Sequence, residues 1–269
     1  AMVLDFLVSP NAVKKDPWML VVATFVFVSF GVLVELHVPI QGSIIIFAMV
    51  PLIPLVWQVL FSEEDEEEKA VEAFKAGKGP LRLFWNHVDL WEVFAFFFLG
   101  ATLAYTFWFA LLPTADSSAL FAPQLKEVQL IQGSLIGGKV FSPAAFEFLF
   151  QHNLQVLGLM LVFSLVYGIG SIYLLLWNAS IIGVVLGGKI HALGPIGLVT
   201  GFLGLLPHGI FELSAYFLAS IGGGLLSMEL MRSGLKKPVL FRHVFLDVAA
   251  LIGVSLLLLA IGAAIEASY

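Results

Sequence analysis

The chain has 269 residues, of which 60% are hydrophobic and only 12% carry a charged side chain. Soluble domains are roughly 45–50% apolar and about 25% charged, so the composition excludes an ordinary soluble domain and indicates a polytopic membrane protein. The formal net charge is −6, and the absence of cysteine excludes disulfide bonds and thiolate metal ligands. We see no nucleotide-binding loop and expect neither a nucleic-acid partner nor a cofactor.

Apolar segments predict an all-α fold, a membrane helix bundle with about seven transmembrane helices. A bilayer core about 30 Å thick needs about 20 helical residues. In chain order the predicted spans are 17–36, 39–61, 91–112, 143–170, 171–188, 194–230 and 243–266. The sixth segment is too long for one simple span, so we predict a broken or re-entrant helix before Pro207, with Pro207 and Gly209 at the break.

The distribution of Lys and Arg predicts the orientation of the chain. With the N-terminus in the cytoplasm, ten of the 13 basic residues lie on the cytoplasmic side, and only Lys126, Lys139 and Lys189 lie outside. Basic residues accumulate in cytoplasmic loops, so we expect a multi-pass protein of the cell membrane with its N-terminus cytoplasmic and its C-terminus outside. Residues 1–90 form a two-span segment with a charged cytoplasmic loop, and residues 91–269 form the helical membrane core. No signal peptide is evident before the first apolar run.

A His and a Glu lie four residues apart within the sixth apolar segment. His208 and Glu212 therefore share one helix face, and this face continues through small side chains at Ala215, Ala219 and Gly222. Small residues let a neighbouring helix approach closely, so we expect this face to point into the bundle. The opposite face is bulky and carries Ile210, Phe217 and Ile221.

Further polar and small residues mark the two preceding helices. Gly183 and Gly187 lie four residues apart and predict a second helix-packing face, with Asn178 near its start. His152 and Asn153 lie together in the fourth apolar segment. Ionisable groups at membrane depth are costly unless they are paired, so we take His208, Glu212, Asn178, His152 and Asn153 as the candidate intramembrane polar site.

Three interpretations of His208 and Glu212 remain open. In the first, the two side chains form a hydrogen bond that only stabilises packing. In the second, they line a polar cavity or permeation path where the carboxyl binds an ion or a proton. In the third, they are ligands of a hydrolytic metal site. Zinc needs at least three protein ligands, and only His152 and His191 are further candidates on the outer side of this half. We therefore assign no metal site.

Several of these residues together resemble a known family. His152 and Asn153 in a hydrophobic helix, the G-I-G of residues 168–170, Asn178 before a short G-xxx-G helix, and P-H-G-I-F-E-L-S-A at residues 207–215 are similar to the stage II sporulation protein M family. The resemblance covers residues 142–234. Family members usually have Pro where this chain has Ser214, so the helix here is expected to be less kinked after Glu212.

The resemblance implies a role in the membrane and no defined reaction. In endospore formers the family member works with cell-wall hydrolases during engulfment, and some other members are encoded near transporter components. We expect a non-enzymatic membrane component with a polar intramembrane cavity, transport- or channel-like, acting in the lipid bilayer with membrane or cell-envelope protein partners. A homo-oligomer is compatible with this reading. An intramembrane metal-dependent hydrolase and a structural scaffold are the alternatives.

Overall fold

The computed structural model describes residues 16–38, 44–49, 53, 88–134, 141–167, 170–232 and 238–268, and within them the chain is helical without strands. The prediction of an all-α fold is therefore confirmed for these residues. The helices are α1 Trp18–His37, α2 Val88–Leu111, α3 Thr114–Leu120, α4 Ala122–Ser134, α5 Pro143–Tyr167, α6 Ser171–Leu193, α7 Ile196–Arg232 and α8 Pro238–Glu266.

Six helices of the described residues are long and apolar enough to cross a membrane, namely α1, α2, α5, α6, α7 and α8. They correspond to six of the seven predicted spans. The remaining span, 39–61, lies mostly outside the described residues, so the total of seven stays a prediction. The shorter helices α3 and α4 connect α2 to α5.

The long helix α7 continues through Pro207, which lies inside it. The predicted broken or re-entrant helix at Pro207 and Gly209 is therefore not confirmed. A proline removes one backbone donor and perturbs one turn. The other backbone groups keep their helical hydrogen bonds because hydrocarbon offers no replacement partner. With a rise of 1.5 Å per residue, α7 is about 55 Å long, so one long helix accounts for the segment.

Glycines allow α2 to approach both α1 and α6 closely. A Cβ added at Gly100 of α2 would lie 2.5 Å from the carbonyl oxygen of Val21 in α1. The Gly183 and Gly187 face of α6 lies against Tyr105 and Phe109 of α2. Small residues at these crossings thus place α2 between α1 and α6.

Residues 215–229 of α7 are buried among the neighbouring helices, apart from the partly buried Leu226. Its Phe217 ring contacts Phe98 of α2 at a centroid distance of 5.7 Å and Trp91 at 5.9 Å. Phe217 is 3% exposed and Ile221 is fully buried, whereas Ile210 is 55% exposed. At Phe217 the bulky face of α7 therefore packs against α2. The bulky face and the small-residue face of α7 are thus both buried in this part of the helix.

Candidate functional site

A polar cluster forms where α5, α7 and α8 meet. The Asn153 amide of α5 donates a hydrogen bond from Nδ2 to Oε1 of Glu212, with 2.7 Å between the two atoms. The Tyr216 hydroxyl donates to Oδ1 of Asn153 at 3.0 Å. Asn153 and Tyr216 are both buried, and Glu212 is partly buried. One amide therefore links two polar side chains of α7 across a helix interface.

The second part of the cluster joins α7 to the end of α8. Nε2 of His208 lies 4.0 Å from Oε1 of Glu266, which is the last residue of α8. This distance exceeds that of a hydrogen bond, so the contact attracts only when the imidazole is protonated. The two side chains remain 12% and 13% exposed, respectively. The cluster is therefore not sealed at this end.

A glycine of α8 makes room for Glu212. A Cβ at Gly262 would lie 2.8 Å from Cγ of Glu212 and 3.3 Å from the carbonyl oxygen of His208. Gly262 precedes Glu266 by one helical turn, so both residues face α7. The absence of a side chain at Gly262 is what allows the carboxyl of Glu212 to enter the contact between α7 and α8.

The structure places the other predicted polar residues elsewhere. Nδ2 of Asn178 donates to the carbonyl oxygen of Leu174 in its own helix, at 2.8 Å. Nε2 of His152 lies 3.5 Å from Oε1 of Glu127 in α4. Of the five predicted site residues, His208, Glu212 and Asn153 are thus brought together, whereas Asn178 and His152 point to other partners.

The small residues that follow Glu212 along α7 lie at helix contacts. Ala215 and Ala219 are fully buried. A Cβ at Gly222 would lie 3.4 Å from Cγ1 of Val248 in α8. Gly209, next to the helical proline, has no atom within 4 Å of its Cβ position. The small-residue face is therefore closely packed after Glu212, whereas the Cβ position of Gly209 is open.

The hydrogen bond between His208 and Glu212, which the first of the three interpretations requires, does not form. Glu212 bonds to Asn153 instead, and His208 faces Glu266. Nδ1 of His208 has no hydrogen-bond partner among the described residues. Sequence reasoning also missed Tyr216 and Glu266 as members of the cluster. Tyr216 follows Glu212 by four residues, and Glu266 ends a long apolar run, so both carried a usable signal.

The cluster combines ionisable and neutral polar side chains from three helices. Within the described residues, no group of three or more His, Cys, Asp or Glu side chains is placed to hold a metal ion. Two carboxyls and one imidazole are available, together with the amide of Asn153 and the hydroxyl of Tyr216. Carboxylate oxygens accept protons and bind hard cations, and the amide orients one of them.

Comparison with known proteins assigns the chain to a family. The family model described as Stage II sporulation protein M matches residues 93–269, a wider region than the resemblance over residues 142–234. An uncharacterized protein of Methanocaldococcus jannaschii is 35% identical over 78 residues, which are 29% of this chain and 43% of that protein, less than half of its length. No solved structure matches. The chain belongs to the Stage II sporulation protein M family of integral membrane proteins.

Proposed function

We propose that this protein is a non-enzymatic membrane component whose polar cluster at Glu212 and Glu266 binds a proton or a small cation, in a transport- or channel-like role with partner proteins. The observation that carries the proposal is the juxtaposition of two carboxyls from α7 and α8 with His208 in a partly exposed cluster. Ionisable groups inside membrane bundles are typical of ion and proton pathways.

The position of Glu266 supports access from one side of the membrane. The carbonyl oxygen of Ala267 accepts a hydrogen bond from the backbone N–H of Ser142, just before α5, at 3.0 Å. The end of α8 is therefore level with the start of α5, at the edge of both spans. From Glu266 the cluster continues along α7 through His208 to Glu212. A proton or cation entering at this edge would meet Glu266 first.

The proposal includes the orientation expected from the basic residues, with the N-terminus cytoplasmic. The edge that carries Glu266 is then the outer one. Single cysteines introduced at the exposed positions Ser118 and Arg242 should be labelled from opposite sides of intact cells. Labelling of both from the same side would contradict the seven-span orientation. Labelling of each position from the side opposite to the one expected would reverse the side of entry.

Flux measured in proteoliposomes tests the proposal. Purified protein in vesicles with a pH-sensitive dye or a cation indicator should carry a current that Glu212→Gln abolishes, because the amide cannot exchange a proton or neutralise a cation. Asp116→Asn, at an exposed carboxyl of α3 outside the cluster, is the matched control and should leave flux unchanged. Thermal melts of both variants in detergent check that each protein is folded.

Equal flux from wild type and Glu212→Gln would contradict the proposal. If Glu212→Gln also complements a deletion strain fully, Glu212 serves packing through Asn153 and the protein is a scaffold. Stoichiometric zinc in the purified protein, lost together with hydrolytic activity on chelation, would instead support the hydrolase.

A further inference from the structure

One face of α5 carries polar side chains that are exposed in the described part of the chain. Glu147, Gln151 and Gln155 are spaced four residues apart and share this face, and all three are exposed. Nε2 of Gln151 donates to Oε1 of Glu147 at 3.2 Å. The side chain of Gln155 forms no hydrogen bond within the described part of the chain. This row is separate from the cluster at Glu212, since Asn153 points to α7 instead.

The depth of Gln155 makes its exposure costly. Gln155 lies at the midpoint of α5, which has 25 residues, and the candidate span covers Pro143–Leu165. A helix of this length crosses the hydrocarbon core, about 30 Å thick, so Gln155 lies near the bilayer centre. A primary amide that faces hydrocarbon without a partner costs roughly 2–7 kcal/mol. A partner with both a donor and an acceptor at this depth would remove that cost.

We propose that this face of α5 packs against the same face of a second copy of the chain, forming a symmetric dimer about a twofold axis along the membrane normal. All copies insert with the same orientation, so Gln155 of each copy lies at the same depth. A glutamine amide both donates and accepts hydrogen bonds, so two copies satisfy each other. Such an isologous contact is the usual arrangement of homodimers.

The residues around Gln155 fit a close helix crossing. A Cβ at Gly158, three residues further on, meets no atom within 4 Å, so the backbone is open to a partner at this point. Leu159 and Val162 are 47% and 57% exposed and extend the face with apolar surface. Glu147 lies about 12 Å from Gln155 toward the outer edge, where water solvates its carboxyl. The helices therefore cross at Gln155 and Gly158 and diverge toward Glu147.

Cysteine cross-linking in native membranes tests the dimer. The chain contains no cysteine, so Gly158→Cys should give a covalent dimer on mild oxidation, since disulfide formation needs Cβ atoms about 4 Å apart. Val26→Cys is the control for random collision, because Val26 is 54% exposed near the middle of α1. We expect most of the Gly158→Cys protein, and only background amounts of the Val26→Cys protein, to cross-link.

A second substitution tests the role of the amide. Gln155→Leu in the Gly158→Cys background should remove the cross-linked dimer while the melting temperature of the monomer in detergent is retained. Gln132→Leu, at an exposed glutamine of α4 outside the six candidate spans, should leave cross-linking unchanged. The proposal is overturned if Gly158→Cys links no better than Val26→Cys, if Gln155→Leu leaves the dimer intact, or if Gly158→Cys links only to a different protein.

Discussion

The two halves of α7 have similar apolar composition and opposite surroundings. In the first half Ile196, Phe202 and Leu203 are 59%, 53% and 61% exposed, respectively. In the second half Ile221 and Leu225 are fully buried. Hydrophobicity alone therefore does not tell which part of a membrane helix meets lipid and which part forms the protein core. The two halves differ in exposure because α8 ends, and α5 begins, near the middle of α7.

The polar cluster lies at the boundary between these halves. Glu266 is the last residue of α8 and lies beside His208, so the part of α7 before His208 has passed the end of α8. Glu212 and Tyr216 follow on the side where α5 and α8 enclose the helix. Polar side chains at this boundary can pair with side chains of α5 and α8. The cluster that they form remains partly exposed at one end. This position suits the proposed proton or cation site better than either half of α7 would alone.

The largest expected effect compares a glycine of each half. A Cβ at Gly223 would lie 2.6 Å from Cβ of Ser164 in α5, whereas the Cβ position of Gly204 has no atom within 4 Å. Gly223→Ala should destabilise the protein by about 1–3 kcal/mol through overpacking. Gly204→Ala should be neutral or stabilise by up to about 1 kcal/mol through helix propensity. Thermal melts in detergent measure both, and equal melting temperatures would contradict the difference between the halves.

A smaller effect is expected at the boundary itself. Asn153→Ala removes the partner of both Glu212 and Tyr216. Because single hydrogen bonds in membrane proteins contribute about 0.6 kcal/mol on average, the loss of two should cost about 1–2 kcal/mol. Asn178→Ala is the control, since within the described residues its amide bonds only to a carbonyl of its own helix. It should change stability by less than about 0.5 kcal/mol. Denaturation in mixed micelles distinguishes the two variants. Equal losses would contradict a stabilising role for the two hydrogen bonds of Asn153.

The smallest stability effect is expected at the two glycines of α8. Gly262→Ala would bring a methyl group 2.8 Å from Cγ of Glu212, whereas Gly253→Ala meets nothing within 4 Å. The Glu212 side chain can rotate away, so we expect Gly262→Ala to change stability by less than about 1 kcal/mol. It should nevertheless reduce flux in proteoliposomes because the carboxyl is displaced. Gly253→Ala should leave flux unchanged, and full flux from Gly262→Ala would contradict the assigned position of Glu212.

The sequence by itself determined the membrane class and the positions of six helices in the described residues. Those properties depend on the length of each apolar segment and on local helix signals. Both are determined by residues that lie close together in the sequence. Starts such as Pro143 and Ser171 were predicted to the residue. His208 and Glu212 were found because ionisable groups stand out in an apolar segment.

Only the tertiary structure decided which polar groups meet. Asn153 and Glu212 are 59 residues apart in the chain, and the spacing of residues within one helix carries no information about contacts between helices. The same holds for Glu266, whose place beside His208 depends on how α8 packs against α7. The continuity of α7 through Pro207 was also decided by the bundle, because the cost of one lost backbone hydrogen bond competes with the packing of a whole helix.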